Sequence, residues 1–300
     1  IDAQGLLWIG TVNHGLIRYD PGSGRAEAIS SIRGLPNNRI ASLFIDREGS
    51  LWAGTNAGLL QLRDALFQTF GTEQRLSDDY VRTVLEARDG ALWIGTSRGL
   101  NRLAPDGTLQ AWGTDDGLPG DSILSLHEDP DGSLWVGTYA SGLARWRDGR
   151  VVQRWTREDA LPGNQVRAIV RDGRGALWVG TYRGLARIAD DGSTRTWGSA
   201  EGLPREYVLA LHLARDGRLW VGTAGGAAVL DGDRVTAIDL AALDDARDVF
   251  GFHEEPDGTL WMATDRGLVR RRPDGALSIV GIAQGLPVAT LFQIVADDDD

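Results

Sequence analysis

Three hundred residues with 31 basic and 42 acidic side chains give a formal net charge of -11. Phosphate backbones and anionic lipid surfaces would be repelled, so no nucleic-acid partner is expected. Cysteine is absent, which excludes disulfides and thiolate chemistry, and no run approaches the ~20 apolar residues that span a bilayer.

The first element met is also the most informative. Leu-Trp-x-Gly-Thr opens near residue 7 and returns with tryptophans at Trp8, Trp52, Trp93, Trp135, Trp178, Trp220 and Trp261. The gaps are 44, 41, 42, 43, 42 and 41 residues, a period that marks propeller blades. Seven copies account for nearly all of residues 1–300, which reads as a single propeller domain with no second module. Ile1 begins inside a repeat without the charged and apolar regions of a signal peptide, so the chain reads as an excised soluble segment.

Residues 37–76 serve as a model repeat. Ile40 to Asp46 is an apolar run ending in the turn Asp46-Arg47-Glu48-Gly49, and Leu51 to Thr55 follows as a second strand. Asn56-Ala57-Gly58 turns the chain into Leu59 to Leu62, and Phe67 to Phe70 alternates as a fourth strand. Four antiparallel strands make one blade.

The glycine after each core tryptophan, Gly54 and its counterparts, is expected to let neighbouring backbone or an indole approach closely. Ala263 is the one exception. The glycine before each third strand, such as Gly58, is read as a turn position needing positive φ.

Gly-Leu-Pro at residues 34–36, 117–119, 202–204 and 285–287, with the variant Ala160-Leu161-Pro162, marks the crossover between blades. Arg75-Leu76-Ser77 and Ala242-Leu243-Asp244 are degenerate copies. At the end of the chain, Leu291 to Ala296 matches the first strand of the other repeats, and Asp2 and Asp297 both align with Asp46. The C-terminal strand is therefore expected to pair with the N-terminal hairpin and close the ring. The predicted fold is all-β: a closed seven-bladed β-propeller of four-stranded antiparallel blades.

The combination of Asp-x-x-Gly-x-Leu-Trp-x-Gly-Thr, Gly-Leu and Gly-Leu-Pro over the whole chain resembles the two-component regulator propeller family. The resemblance implies the periplasmic sensing part of a membrane receptor. Such parts are usually followed by an Ig-like module, a transmembrane helix and a histidine kinase or diguanylate cyclase output. It further implies that this ring is one of a pair in many members, and that the full receptor forms a homodimer in some.

In an antiparallel propeller the inter-blade crossovers and the loops between second and third strands lie at one end of the ring, so binding is expected there. Tyr80, Tyr139, Tyr182 and Tyr207 fall on this face beside Asn38 and Asp79, a set suited to stacking and hydrogen bonding with a sugar or small polar metabolite. Arg98, Arg183 and Arg266 occupy one loop position in three blades; they either clamp a carboxylate or pair with nearby aspartates. No cofactor is called for.

Three alternatives are set against the sensor. His127, His212 and His253 share one register in the innermost strands, but the other blades have apolar residues there, which points to inter-blade packing rather than a metal. Asp129-Pro130-Asp131-Gly132 and Glu255-Pro256-Asp257-Gly258 lack a calcium-loop ligand series and read as hairpin turns. A lyase of the streptogramin type needs convergent acid-base groups, and His14 is the one histidine on the expected face. Trp112, Trp146, Trp155 and Trp197 mark a scaffold interface if exposed together, and plain core if buried.

Overall fold

The computed structural model describes residues 7–30, 35–47, 49–63, 66–240, 242–243 and 246–296. Ile1, Asp2, Gly34, Glu48, Asp244 and Asp297 to Asp300 lie outside the described residues.

Seven four-stranded antiparallel sheets form the blades, each running from the channel outward in chain order. The innermost strands are Ile40–Ile45, Val81–Glu86, Ile123–Glu128, Val166–Arg171, Val208–Leu213, Val249–Glu254 and Leu291–Ala296. The last of these belongs to the first blade, pairing with Leu7–Thr11 in the register Leu7 to Ala296, Trp8 to Val295 and Ile9 to Ile294. It also touches the innermost strands of the second and seventh blades, so the circle is closed by the two ends of the chain, as the repeat phase requires.

Each residue of the repeated pentapeptide has a distinct physical role. The tryptophan packs against the next blade: Trp135 of blade four clusters with Val166, Leu177, Val179 and Ile188 of blade five. A Cβ on Gly10, Gly54, Gly95, Gly137 or Gly180 would stand 2.5–2.7 Å from the first β-branched residue of the following blade, Ile40, Val81, Ile123, Val166 or Val208. The close neighbour is thus a side chain of the next innermost strand rather than an indole, and only at Gly222 is it backbone, the Val249 carbonyl.

The threonine hydroxyl donates to the carbonyl of the glycine that opens the third strand, for example Thr55 to Gly58 at 2.8 Å. That glycine sits at φ 110°, where any side chain would be strained. In the crossovers the leucine of Gly-Leu-Pro is the buried plug, at Leu35, Leu76, Leu118, Leu161, Leu203 and Leu286. The residue before it is a left-handed cap on a short 3-10 turn, filled by Gly117, Gly202 and Gly285 but by Arg75 and Ala160 elsewhere.

The hairpin turns hold a contact the repeat pattern did not reveal. The indole N–H donates to the carboxylate six residues earlier, Trp52 to Asp46, Trp135 to Asp129, Trp178 to Asp172 and Trp261 to Glu255, at 2.6–2.9 Å. Trp146, Trp155 and Trp197 are buried, and Trp112 packs on Trp93 and Trp146, so these four indoles belong to the core. Among the described residues no helix is long and apolar enough to cross a membrane.

Candidate functional site

The seven innermost strands enclose a central channel holding a cavity of about 370 Å³. Small residues at the third position of these strands, Thr83, Ser125, Ala168, Ala210 and Gly251, leave it open. In each blade the pairing of the innermost with the second strand skips one residue, between Ile40 and Ser42, Val81 and Thr83, and so on round the ring. The skipped residues are Ala41, Arg82, Leu124, Arg167, Leu209, Phe250 and Phe292, and all seven line the cavity. A bulge of this kind re-aims its extra side chain.

The wall is two-sided in character. Blades six, seven and one contribute Leu209, Leu211, Phe250, Phe252, Phe292 and Ile294, with the Phe250 and Phe292 rings edge to face at 4.7 Å. Blades two, three and five contribute Arg39, Arg82 and Arg167. Each of the three guanidinium groups lies by an aromatic ring: Arg39 by Phe292 at 5.9 Å, Arg82 by Tyr80 at 4.5 Å, and Arg167 by Tyr207 at 5.6 Å. Arg167 also donates to the Tyr207 hydroxyl at 3.0 Å, and Arg82 to Ser97 at 3.1 Å. Burial lowers the pKa of Arg82; Tyr80 opposes that effect, and the charges of Arg167 and Arg39 add to it.

The residues expected from the sequence divide between this mouth and the loops. Tyr80 lines the cavity, and Tyr207 stands on Arg167 and edge to face with Tyr182 at 4.6 Å. Tyr139 and Tyr182 are 54% and 50% exposed, and their N–H groups bond the crossover carbonyls of Ser122 and Gln165. Asp79 accepts from the Thr72 N–H at 2.6 Å, so its carboxylate caps the crossover turn, as Asp121 does for Thr114. The Asn38 carbonyl accepts from Gly15 at 2.8 Å.

Arg98 pairs with Asp78 at 3.4 Å and Arg266 with Asp265 at 3.6 Å, while Arg183 is an exposed loop residue; none of the three lines the channel cavity. The arginines that do line it were not singled out in the sequence. The available signal was the second position of each innermost strand, where two blades carry arginine and the others alanine, leucine or phenylalanine.

The histidines lie at blade boundaries. His212 meets Glu254 of the next blade at 3.2 Å, and His127 stands 3.8 Å from Asp129. Burial lowers the pKa of His127 more than Asp129 raises it, because Arg171 already occupies that carboxylate and, with Arg88, repels a second cation. The unfolded chain then binds the proton more tightly. Stability from this site is complete above the ordinary histidine value of about 6.5 and is lost as pH falls below it toward the folded value. Denaturant midpoints measured from neutral to mildly acidic pH should fall less steeply in His127→Gln than in the parent; equal slopes would refute the assignment.

Five segments, residues 34–57, 75–98, 117–140, 160–183 and 202–225, match the two component regulator propeller family. The chain belongs to this family.

Among solved structures this two component regulator propeller is similar to the extracellular domain of BT3049, named as a hybrid two component system of B. thetaiotaomicron. The TM-score is 0.75, with 17% identity over 97% of this chain and 47% of that one. It is also similar to the extracellular domain of BT4673 of the same organism, named as a one component system, at TM-score 0.52 and 18% identity over 93% and 48%. The chain thus spans about half the length of these two extracellular domains. Virginiamycin B lyase from Staphylococcus aureus, crystallised with quinupristin, shares the fold at TM-score 0.68 and 14% identity over 84% and 86%. No curated protein matches the chain.

Proposed function

We propose that this propeller is the extracytoplasmic, ligand-sensing part of a membrane receptor with a histidine kinase or diguanylate cyclase output, and that it takes a small polar ligand or oligosaccharide at the channel face. The observation that carries the reading is the concave mouth itself. Tyr80 and Tyr207 flank an open channel, and Tyr182 extends the aromatic surface outward. Membership of a regulator propeller family and likeness in fold to receptor extracellular domains support it. A concave site with aromatic walls and few convergent polar groups is the usual form of a small-molecule site.

On this reading Tyr80, Tyr139, Tyr182 and Tyr207 supply stacking faces, and Asn38, Asp79, Arg98, Arg183 and Arg266 the polar rim. The segment is a binding module, periplasmic in location, whose bound state passes to a fused output domain. A thermal-shift screen of the purified chain against neutral and acidic oligosaccharides is the direct test. A saturable rise in Tm is expected, and it should vanish in the triple variant Tyr139→Ala, Tyr182→Ala, Arg183→Ala. These side chains are exposed, so the unliganded stability of the variant should stay within about 0.5 kcal/mol of the parent. A large loss would mean that the loops are structural and not a binding rim.

A further inference from the structure

Arg39, Arg82 and Arg167 all line the same cavity, in a chain whose net charge is -11. Elsewhere the arginines are neutralised: Arg171 by Asp129, Arg145 by Asp131, Arg102 by Asp89, Arg18 by Glu27. Among the described residues no carboxylate forms an ion pair with any of the three channel arginines. The buried Arg39 Nε has no hydrogen-bond partner. Like charges gathered without a counter-ion repel one another, and an unmade hydrogen bond to a buried charged group is costly. Such an arrangement lowers its free energy when an anion enters.

The rest of the wall narrows the ligand. Phe250, Phe292, Leu209 and Leu211 present apolar surface across from the cations, and small residues line the space between. Inorganic sulfate or phosphate would satisfy the guanidinium groups but leave that surface unfilled. A volume of about 370 Å³ is at the low end for organic ligand sites.

We propose that the channel mouth is an anion site formed by Arg39, Arg82 and Arg167 for a small organic polycarboxylate whose apolar body rests on Phe250 and Phe292. Planar guanidinium forks match carboxylates in bidentate fashion, and aromatic faces beneath Arg39 and Arg82 hold the forks in place. This inference rests on the reading of the channel end as the ligand face and gives that ligand a charge.

Calorimetric titration of the whole chain with trimesate, citrate and sulfate at low salt tests it. Saturable one-to-one binding is expected, strongest for trimesate and weakened by added salt. Arg39→Gln, Arg82→Gln and Arg167→Gln should each lower affinity by about tenfold or more, the scale of one charge-assisted bond. Arg150→Gln, on an exposed outermost strand, should change nothing. The three channel variants should melt no lower than the parent without ligand, because each removes repulsion.

Absence of binding by all three anions, or binding indifferent to the channel variants, would overturn the proposal. Equal affinity for sulfate and trimesate would overturn the organic part of it and leave an inorganic oxyanion site. A thermal shift from neutral oligosaccharides alone would preserve the sensor reading while refuting this one.

Discussion

Trp135→Ala is expected to destabilise the ring by about 3–5 kcal/mol, the range for truncating a large aromatic side chain in a core. The indole is 3% exposed, lies 5.2 Å from the Trp155 ring and has the Arg145 guanidinium over its face. Its removal would open a void between blades four and five, bounded by Val166, Leu177 and Val179. These are first and second strands of the next blade and cannot collapse inward without breaking their own pairing. Denaturant unfolding measures the loss directly. Trp112→Ala, on a half-buried outermost strand, should cost less. A Trp135→Ala loss below about 1 kcal/mol would show that neighbouring blades repack freely, contrary to the close packing assigned to them.

Asp129→Ala should lower stability by a comparable amount, about 3–5 kcal/mol, for a different reason. Asp129 is 3% exposed and accepts from the Trp135 indole at 2.8 Å and from two nitrogens of Arg171 at 2.6 and 2.8 Å. Arg171 belongs to the innermost strand of blade five, so this one carboxylate ties two blades together. Without it a largely buried guanidinium and an indole N–H both lose their acceptor.

Replacing both partners, Asp129→Ala with Arg171→Leu, should recover much of the loss, since the cost lies in the orphaned charge. Asp131→Ala, whose ion pairs with Arg145 and Arg147 are exposed, should cost at most about 1 kcal/mol. The Trp135 and Asp129 losses should also fall short of additivity, because the two side chains share a hydrogen bond. A double variant as unstable as the sum of the singles would remove the claim of coupling.

The reading of the loops shows where local pattern stops. Tyr80 and Tyr207 were placed on the channel face from their position before the innermost strands, and both meet channel arginines. Arg98 and Arg266 were found by the same alignment, yet each also has an aspartate within reach, Asp78 and Asp265. Equal positions in the repeat do not carry equal neighbours, because crossover side chains differ from blade to blade.

By itself the sequence determined the number of blades, their boundaries and the closure of the ring. Those follow from a short motif that recurs at a constant interval and from the phase at which the chain starts and stops. Each is a local property repeated, and each needs only strand periodicity and turn chemistry to read. Only the tertiary structure decided that Arg39, Arg82 and Arg167, separated by 43 and 85 residues, line one cavity. Their meeting depends on a bulge that aims one side chain per blade inward and on the circular arrangement that sets blades two, three and five around the same axis. The same holds for the carboxylate of Asp129, which reads in sequence as a turn residue and in space holds two blades together. Interactions that cross from blade to blade leave no trace in a single repeat, because the repeat encodes its own strands and the ring supplies the partner.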